Sequence, residues 1–255
     1  MMMDNQQAYS TVDFDYWAHK RDLDDMESYL IEKFLDKRKK TLEAGTGGGR
    51  ILLEMQKLGF TSLYGYDFIP KFIEQAKQRD SSQDITFKVQ DATCLSYEDY
   101  SFDQILYLQQ IICTLETNSA RTKALQEAYR ILKHGGIALF SFLNFDSRSR
   151  SAAYFLYIWY LRLLRNLKGS KCSIQHLPRL KLNGKPNFSA LLDRTPYTYW
   201  YKPEEVYEAL TEVGFDILAI TSDVRHEQRK LYRSMETFRE VPRQGFFYFV
   251  CTKRT

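Results

Sequence analysis

The sequence predicts an α/β protein: a doubly wound, mostly parallel seven-stranded sheet with an antiparallel last strand, a helical N-terminal lid and an inserted cap after strand five. Three observations carry that expectation. A glycine-rich turn, Glu43-Ala44-Gly45-Thr46-Gly47-Gly48-Gly49, separates a strand-like entry at Thr41-Leu42 from a helical pattern over residues 51–58. Strand-like runs and helical patterns then alternate as far as Phe142, the order expected where parallel strands are joined by crossover helices. Most of those runs end in polar residues, at the carboxyl edge where ligands of such sheets bind.

The elements follow in order. Glycines at 45, 47 and 49 allow a sharp bend and a close backbone approach to a ligand. The helix start behind them offers unpaired N–H groups to an anion. Leu63-Tyr64-Gly65-Tyr66-Asp67 reads as strand two and ends in an acid 18 residues after Gly49, placed to accept hydrogen bonds from ribose hydroxyls. Residues 70–78 read as a helix. Ile85-Thr86-Phe87-Lys88-Val89-Gln90-Asp91 is strand three, and Phe102-Asp103-Gln104-Ile105-Leu106-Tyr107-Leu108 is strand four. A helical pattern over 120–132 precedes strand five at Gly136-Ile137-Ala138-Leu139-Phe140-Ser141-Phe142.

Residues 8–40 read as helical, opening on Tyr9, Phe14, Tyr16 and Trp17 and continuing into Lys20-Arg21-Asp22. Residues 145–200 interrupt the pattern. They hold ten Lys and Arg and two Asp, a net charge of +8 within a chain of +4, so the remainder carries −4. The first half, 151–167, is an apolar, aromatic helix with Arg162 and Arg165 near one end. It is too short and too basic to span a bilayer, which takes about 20 apolar residues. Three uses stay open: a roof over the acceptor, a homodimer contact, or a membrane-surface contact with aromatics down and arginines among the headgroups. The second half contains Pro178, Asn183-Gly184 and Pro186, which suit turns or a hairpin. Lys202-Pro203-Glu204-Glu205 then begins another helix. Phe215-Asp216 leads strand six, Phe246-Phe247-Tyr248-Phe249-Val250-Cys251 forms strand seven, and charged, helix-like residues 223–244 join them.

Taken together, Glu43 to Gly49, Asp67, Asp91-Ala92 and Tyr129-Arg130-Ile131-Leu132-Lys133-His134-Gly135-Gly136 resemble the ordered motifs of class I S-adenosylmethionine-dependent methyltransferases of the small-molecule type. The resemblance covers roughly residues 10–144 and resumes at about 197–255. It implies a lid over 1–40, an S-adenosyl-L-methionine-binding core over 41–144, a cap over 145–200 and the rest of the sheet over 201–255. It also implies cofactor contacts from Glu43, Gly45, Thr46, Gly47, Asp67, Phe68, Asp91, Ala92, Leu108 and Gln109. From the lid, Tyr16 or Trp17 would face the sulfonium, since an aromatic face attracts a cation, and Arg21 would meet the methionine carboxylate. A nicotinamide-dependent dehydrogenase fits less well, because Arg50 stands where its fingerprint needs the third glycine.

The acceptor is less constrained. Leu108-Gln109-Gln110-Ile111-Ile112 follows strand four where methylases of base and glutamine amides often carry Asn-Pro-Pro-Tyr. That disfavours DNA, the modest overall charge disfavours RNA, and a hydrophobic, aromatic or amine-bearing small molecule is the default. If the acceptor needs a base, His176 in the cap and His19 in the lid are the candidates. The alternative is a catalytically inactive interaction subunit using the basic aromatic insertion. Cysteines at 94, 113, 172 and 251 show neither metal-ligand spacing nor a disulfide framework. The first residues lack a basic segment followed by an apolar stretch, so a cytoplasmic setting is expected.

Overall fold

The computed structural model describes residues 3–223, 230–239 and 245–254. Three helices lead the chain: α1 (Asn5–Ser10), α2 (Phe14–His19) and α3 (Asp25–Phe34). Two of them start from a capping box. Asp4 pairs reciprocally with Gln7, and Asp24 with Glu27, so orphan N–H groups at each start are satisfied.

The alternating part follows as β1 (Thr41–Ala44), α4 (Arg50–Lys57), β2 (Leu63–Asp67), α5 (Pro70–Arg79), β3 (Thr86–Val89) and β4 (Phe102–Tyr107). It continues through α6 (Ile111–Thr114) and α7 (Asn118–Ile131) to β5 (Leu132–Leu143). After the insertion come α10 (Pro203–Val213), β10 (Phe215–Ser222), α11 (Met235–Arg239) and β11 (Phe246–Lys253). The sheet has seven strands in the order β10-β11-β5-β4-β1-β2-β3. The pairs β1–β2, β1–β4, β2–β3 and β4–β5 are parallel, while β11 lies antiparallel between β5 and β10. The expected α/β sheet is therefore present, and its last strand is inserted between the fifth and sixth.

Successive side chains of a strand face opposite sides, and the central strands are apolar on both. Ile105, Tyr107, Phe140 and Phe142 pack with Ala124 and Ala128 of α7 in one core cluster. Leu106, Leu139 and Val250 pack with Leu52 of α4, Ile73 of α5 and Leu30 of α3 in the other. The buried Tyr66 hydroxyl donates to the Tyr107 hydroxyl at 2.9 Å, so neither phenol is left without a partner.

Two boundaries differ from the sequence expectation. The Gly135-Gly136 signal suggests a strand starting at 136, yet β5 begins at Leu132, which pairs with Phe102 before a register shift. Pairing with β4 outweighs the local turn signal there. Of the expected connector at 223–244, residues 235–239 form α11, and residues 224–229 and 240–244 lie outside the described residues.

The insertion holds α8 (Phe145–Ser149), α9 (Ala152–Leu167), β6 (His176–Pro178), β7 (Lys181–Leu182), β8 (Lys185–Pro186), a 3-10 turn over Phe188–Leu192 and β9 (Tyr197–Tyr199). Asn183-Gly184 supplies two positive φ values, 46° and 72°, for the β7–β8 turn, the geometry two-residue hairpins favour. Ile158 and Leu161 of α9 join the main core cluster. Arg165 forms a buried ion pair with Asp193 at 2.7 Å and also donates to the Ser173 and His176 carbonyls. This places the side chain's donors against oxygen and holds the two halves of the insertion together.

Candidate functional site

A cavity of about 530 Å³ opens at the carboxyl edge of β1, β2 and β3, within the 300–1,000 Å³ range typical of small-molecule sites. The first three strands each deliver a polar group to it. β1 and the turn that leaves it contribute Glu43, Gly45, Thr46 and Gly47, β2 ends in Asp67 followed by Phe68, and β3 leads to Gln90, Asp91 and Ala92. Gln109 follows β4, and Asn5, Tyr9 and Trp17 line the opposite wall from α1 and α2.

The glycine turn is held by close backbone approach. Gly45 has φ +61°, and a Cβ there would stand 2.2 Å from Ile111 Cδ1. A Cβ on Gly48 would stand 2.1 Å from the Ala18 carbonyl oxygen, so α2 can lie directly on the turn. The Gly47 N–H and the Ile69 N–H both donate to the Asp67 carboxylate at 2.9 Å. Burial pushes the Asp67 carboxyl up to about 6, against the lowering effect of these backbone donors.

Glu43 is 4% exposed and accepts a 2.6 Å hydrogen bond from the Thr46 hydroxyl. Burial raises its carboxyl to about 8, opposed by Thr46 and by the charge of Arg50. The usual value is near 4.5, so between the two the folded protein keeps a proton that the unfolded chain has lost, and stability falls as pH rises through that window. Glu43→Gln removes this cost and keeps an acceptor for Thr46. Its melting temperature should exceed the parent's by a margin that widens from pH 5 to pH 8. A margin independent of pH would show that Glu43 is ionised in the folded protein throughout.

Arg50, the first residue of α4, is held by Glu27 of α3 through two hydrogen bonds, at 2.6 and 2.8 Å. Gln109 also donates to Glu27, and both Gln109 and Gln110 have positive φ, 54° and 61°. Non-glycine residues in that region cost about 1–3 kcal/mol each and cluster at functional sites.

The expected residues divide clearly by position. Glu43, Gly45, Thr46, Gly47, Asp67, Phe68, Asp91, Ala92, Gln109 and Trp17 all line this cavity. Leu108 is buried, at 2% exposure, and is not in the lining. Tyr16 is 52% exposed with its ring edge-on to Trp17 at 5.0 Å, and it and Arg21 are also off the lining. His19 Nδ1 donates to the Asp15 carbonyl on its own helix at 3.0 Å. His176 packs against Tyr199 and lies near Arg121 and the Glu116 carbonyl. Burial, followed by the Arg121 charge, lowers its pKa. Neither histidine lines the cavity, and none of the lining comes from residues 145–200.

The insertion instead touches the helices that form the cavity wall. Asp13 pairs with Arg179 at 2.5 Å and accepts from the Asn183 N–H, while the Arg179 guanidinium lies over the Tyr9 ring. Asn5 donates to the Thr114 and Tyr197 carbonyls at 2.9 and 2.6 Å. Asn5, Gln90, Thr114 and Glu116 are lining residues that sequence patterns did not single out. Only α1 had a signal, the Asp4/Gln7 spacing of its capping box.

Residues 42–140 match the family model described as a methyltransferase domain, and the seven-stranded sheet is the fold of class I S-adenosylmethionine-dependent methyltransferases. Among solved structures, the chain is similar to an S-adenosylmethionine-dependent methyltransferase from Methanosarcina mazei, with 20% identity, 91% of this chain and 99% of that one covered, and a TM-score of 0.66. A TehB-like S-adenosylmethionine-dependent methyltransferase from Corynebacterium glutamicum aligns at 19% identity over 98% of both chains with a TM-score of 0.59. A possible histamine N-methyltransferase from Thermotoga maritima aligns at 18% identity, covering 89% of this chain and 88% of that one, with a TM-score of 0.54. No curated protein matches the sequence. The cofactor named for these neighbours is S-adenosylmethionine.

The lining fits such a group. Asn5 Oδ1 and Gln90 Nε2 are buried without partners, and buried polar atoms ordinarily have one. Two orphans among the lining residues, one acceptor and one donor, suit a ligand with both kinds of polar group.

Proposed function

We propose that the chain is an S-adenosylmethionine-dependent methyltransferase acting on a small-molecule acceptor, hydrophobic, aromatic or amine-bearing. The observation that carries this is the gathering of Glu43, the glycine turn, Asp67 and Asp91 around one cavity at the carboxyl edge of the sheet. In this reading the Asp67 carboxylate accepts from the ribose hydroxyls and Asp91 accepts from the adenine amine, while Ala92 and Phe68 flank the base. Gly45, Thr46 and Gly47 admit the methionine moiety, Glu43 faces its amine, Gln109 borders it, and Trp17 offers an aromatic face to positive charge. Tyr16, Arg21, Leu108, His19 and His176 take no role in this proposal.

When bound, the cofactor supplies a methyl group already activated on sulfur. The residues therefore mainly orient and exclude water, and alignment can contribute about 7–11 kcal/mol to such a reaction. What supports an uncharged or cationic acceptor is the charge of the lining. Asp4 and Glu116 stand in it with Asp67 and Asp91, and its one basic side chain, Arg50, is paired with Glu27. Tyr9 and Trp17 add aromatic surface.

Calorimetric titration tests the cofactor assignment. S-adenosylmethionine and its demethylated product should bind in the micromolar range, and NAD should not. Absence of binding by both sulfur compounds would overturn the reading.

A further inference from the structure

The outer face of the insertion is built unlike the rest of the surface. Among the described residues, nine of the fourteen large hydrophobic side chains that are exposed fall between residues 155 and 192. Scattered single exposures are ordinary, but contiguous ones mark a binding surface. Here they are contiguous. Phe155, Trp159, Leu163 and Leu167 recur every four residues and so lie along one stripe of α9. Their exposures run from 46% to 77%. Ile158, Leu161 and Arg165 hold the opposite face of the helix to the core.

A second segment extends the stripe. The 3-10 turn over Phe188–Leu192 is fastened alongside α9 by the Tyr157 hydroxyl donating to the Ala190 carbonyl and the Tyr160 hydroxyl donating to the Leu191 carbonyl. Phe188 is 76% exposed and Leu191 48%. The apolar face is thus a prearranged platform, two segments wide, rather than a single loose helix.

Its charge decides what it fits. Seven Lys and Arg side chains of residues 145–200 are exposed, and neither of the segment's two acids is. One of those acids, Asp193, is consumed by the buried pair with Arg165. The exposed cations include Arg150 before α9, Arg162 on its flank and Lys171 and Arg194 beyond it. A twofold contact between two copies would set the same face against itself and bring these like charges together. A surface of anionic headgroups over an apolar layer matches both features: the aromatics and leucines enter the acyl boundary while the cations meet phosphates. At 16 residues, α9 is about 24 Å long, and no helix among the described residues is long and apolar enough to cross a membrane. The contact is therefore with the membrane surface.

We infer that α9 and the adjoining 3-10 turn form a docking face for an anionic phospholipid bilayer. The face lies on the insertion and uses none of the residues lining the cavity, so it stands apart from the methyltransferase reading.

The test is flotation of the full chain with vesicles of phosphatidylcholine alone and of phosphatidylcholine with phosphatidylglycerol. Binding should appear on the anionic vesicles, be weak on the neutral ones and fall as salt is raised. Phe155→Ser with Trp159→Ser should lower binding at least tenfold. Arg162→Glu with Lys171→Glu should lower it further than tenfold, since each cation near such a surface contributes about fivefold. Thermal melts and S-adenosylmethionine titrations of the same variants should match the parent, which separates lost docking from lost folding and leaves the cofactor assignment to its own experiment. No binding to anionic vesicles at low salt overturns the proposal. So does a dimer, seen by light scattering, that disperses with the aromatic pair while the vesicles stay bare.

Discussion

Replacing Asp67 by alanine should weaken S-adenosylmethionine binding at least a hundredfold in a calorimetric titration. Hydrogen bonds to a charged group each contribute about 1.5–3 kcal/mol, and in the proposed complex two ribose hydroxyls donate to this carboxylate. Every 1.4 kcal/mol is a factor of ten in affinity. The side chain also anchors the turn through the Gly47 N–H, so its loss loosens the backbone that receives the methionine moiety. Asp67→Asn keeps the shape and one acceptor oxygen, and should fall between the parent and the alanine variant. Because the Asp67 carboxyl is raised to about 6, affinity in the parent should also decline as pH is lowered through that value, when the acceptor gains a proton. An alanine variant that binds like the parent would show that the ribose lies elsewhere.

The second large effect is on stability. Glu27→Ala should destabilise the fold by about 3–5 kcal/mol, the range for removing one partner of a buried ion pair. The Arg50 side chain is 5% exposed and that of Glu27 1%, so the guanidinium would keep only the Asp22 carbonyl as a partner. For a chain of this size, 1 kcal/mol moves the melting temperature by about 2–4 °C, which puts the expected fall on the order of 10 °C. Replacing both partners, Glu27→Leu with Arg50→Met, should restore most of the loss, because a buried pair exchanged for apolar side chains of similar volume is often neutral. Failure of the double variant to recover would mean that Glu27 acts through its other contacts, the Asp24 N–H and Gln109.

The sheet was legible because its strands are short apolar runs with unambiguous breaks. Leu63 to Asp67 matches β2 residue for residue, since Gly59 and Pro70 bracket it and the polar end coincides with the sheet edge. Most of the cavity's strand-side lining was legible for the same reason: glycines and acids at strand ends have few other uses. The opposite wall was not. Asn5 enters it through carbonyls of residues 114 and 197, contacts that local periodicity does not encode. The helix at 152–167 was readable from its composition, yet which of its faces stays uncovered depends on the placement of Phe188–Leu192, and nothing local predicts that. Nor did any pattern show that residues 145–200 would reach the first helices rather than the cavity itself.

The ion pair of Asp13 and Arg179 joins side chains 166 positions apart. Arg179 and the Asn183 N–H both close on Asp13, between the two helices that carry Asn5, Tyr9 and Trp17 into the cavity lining. The β7–β8 hairpin and the residue pair before it, which line no part of the cavity, thus help to set where one side of it stands. Substitutions confined to that segment can reshape the cavity while every residue at the strand ends stays the same.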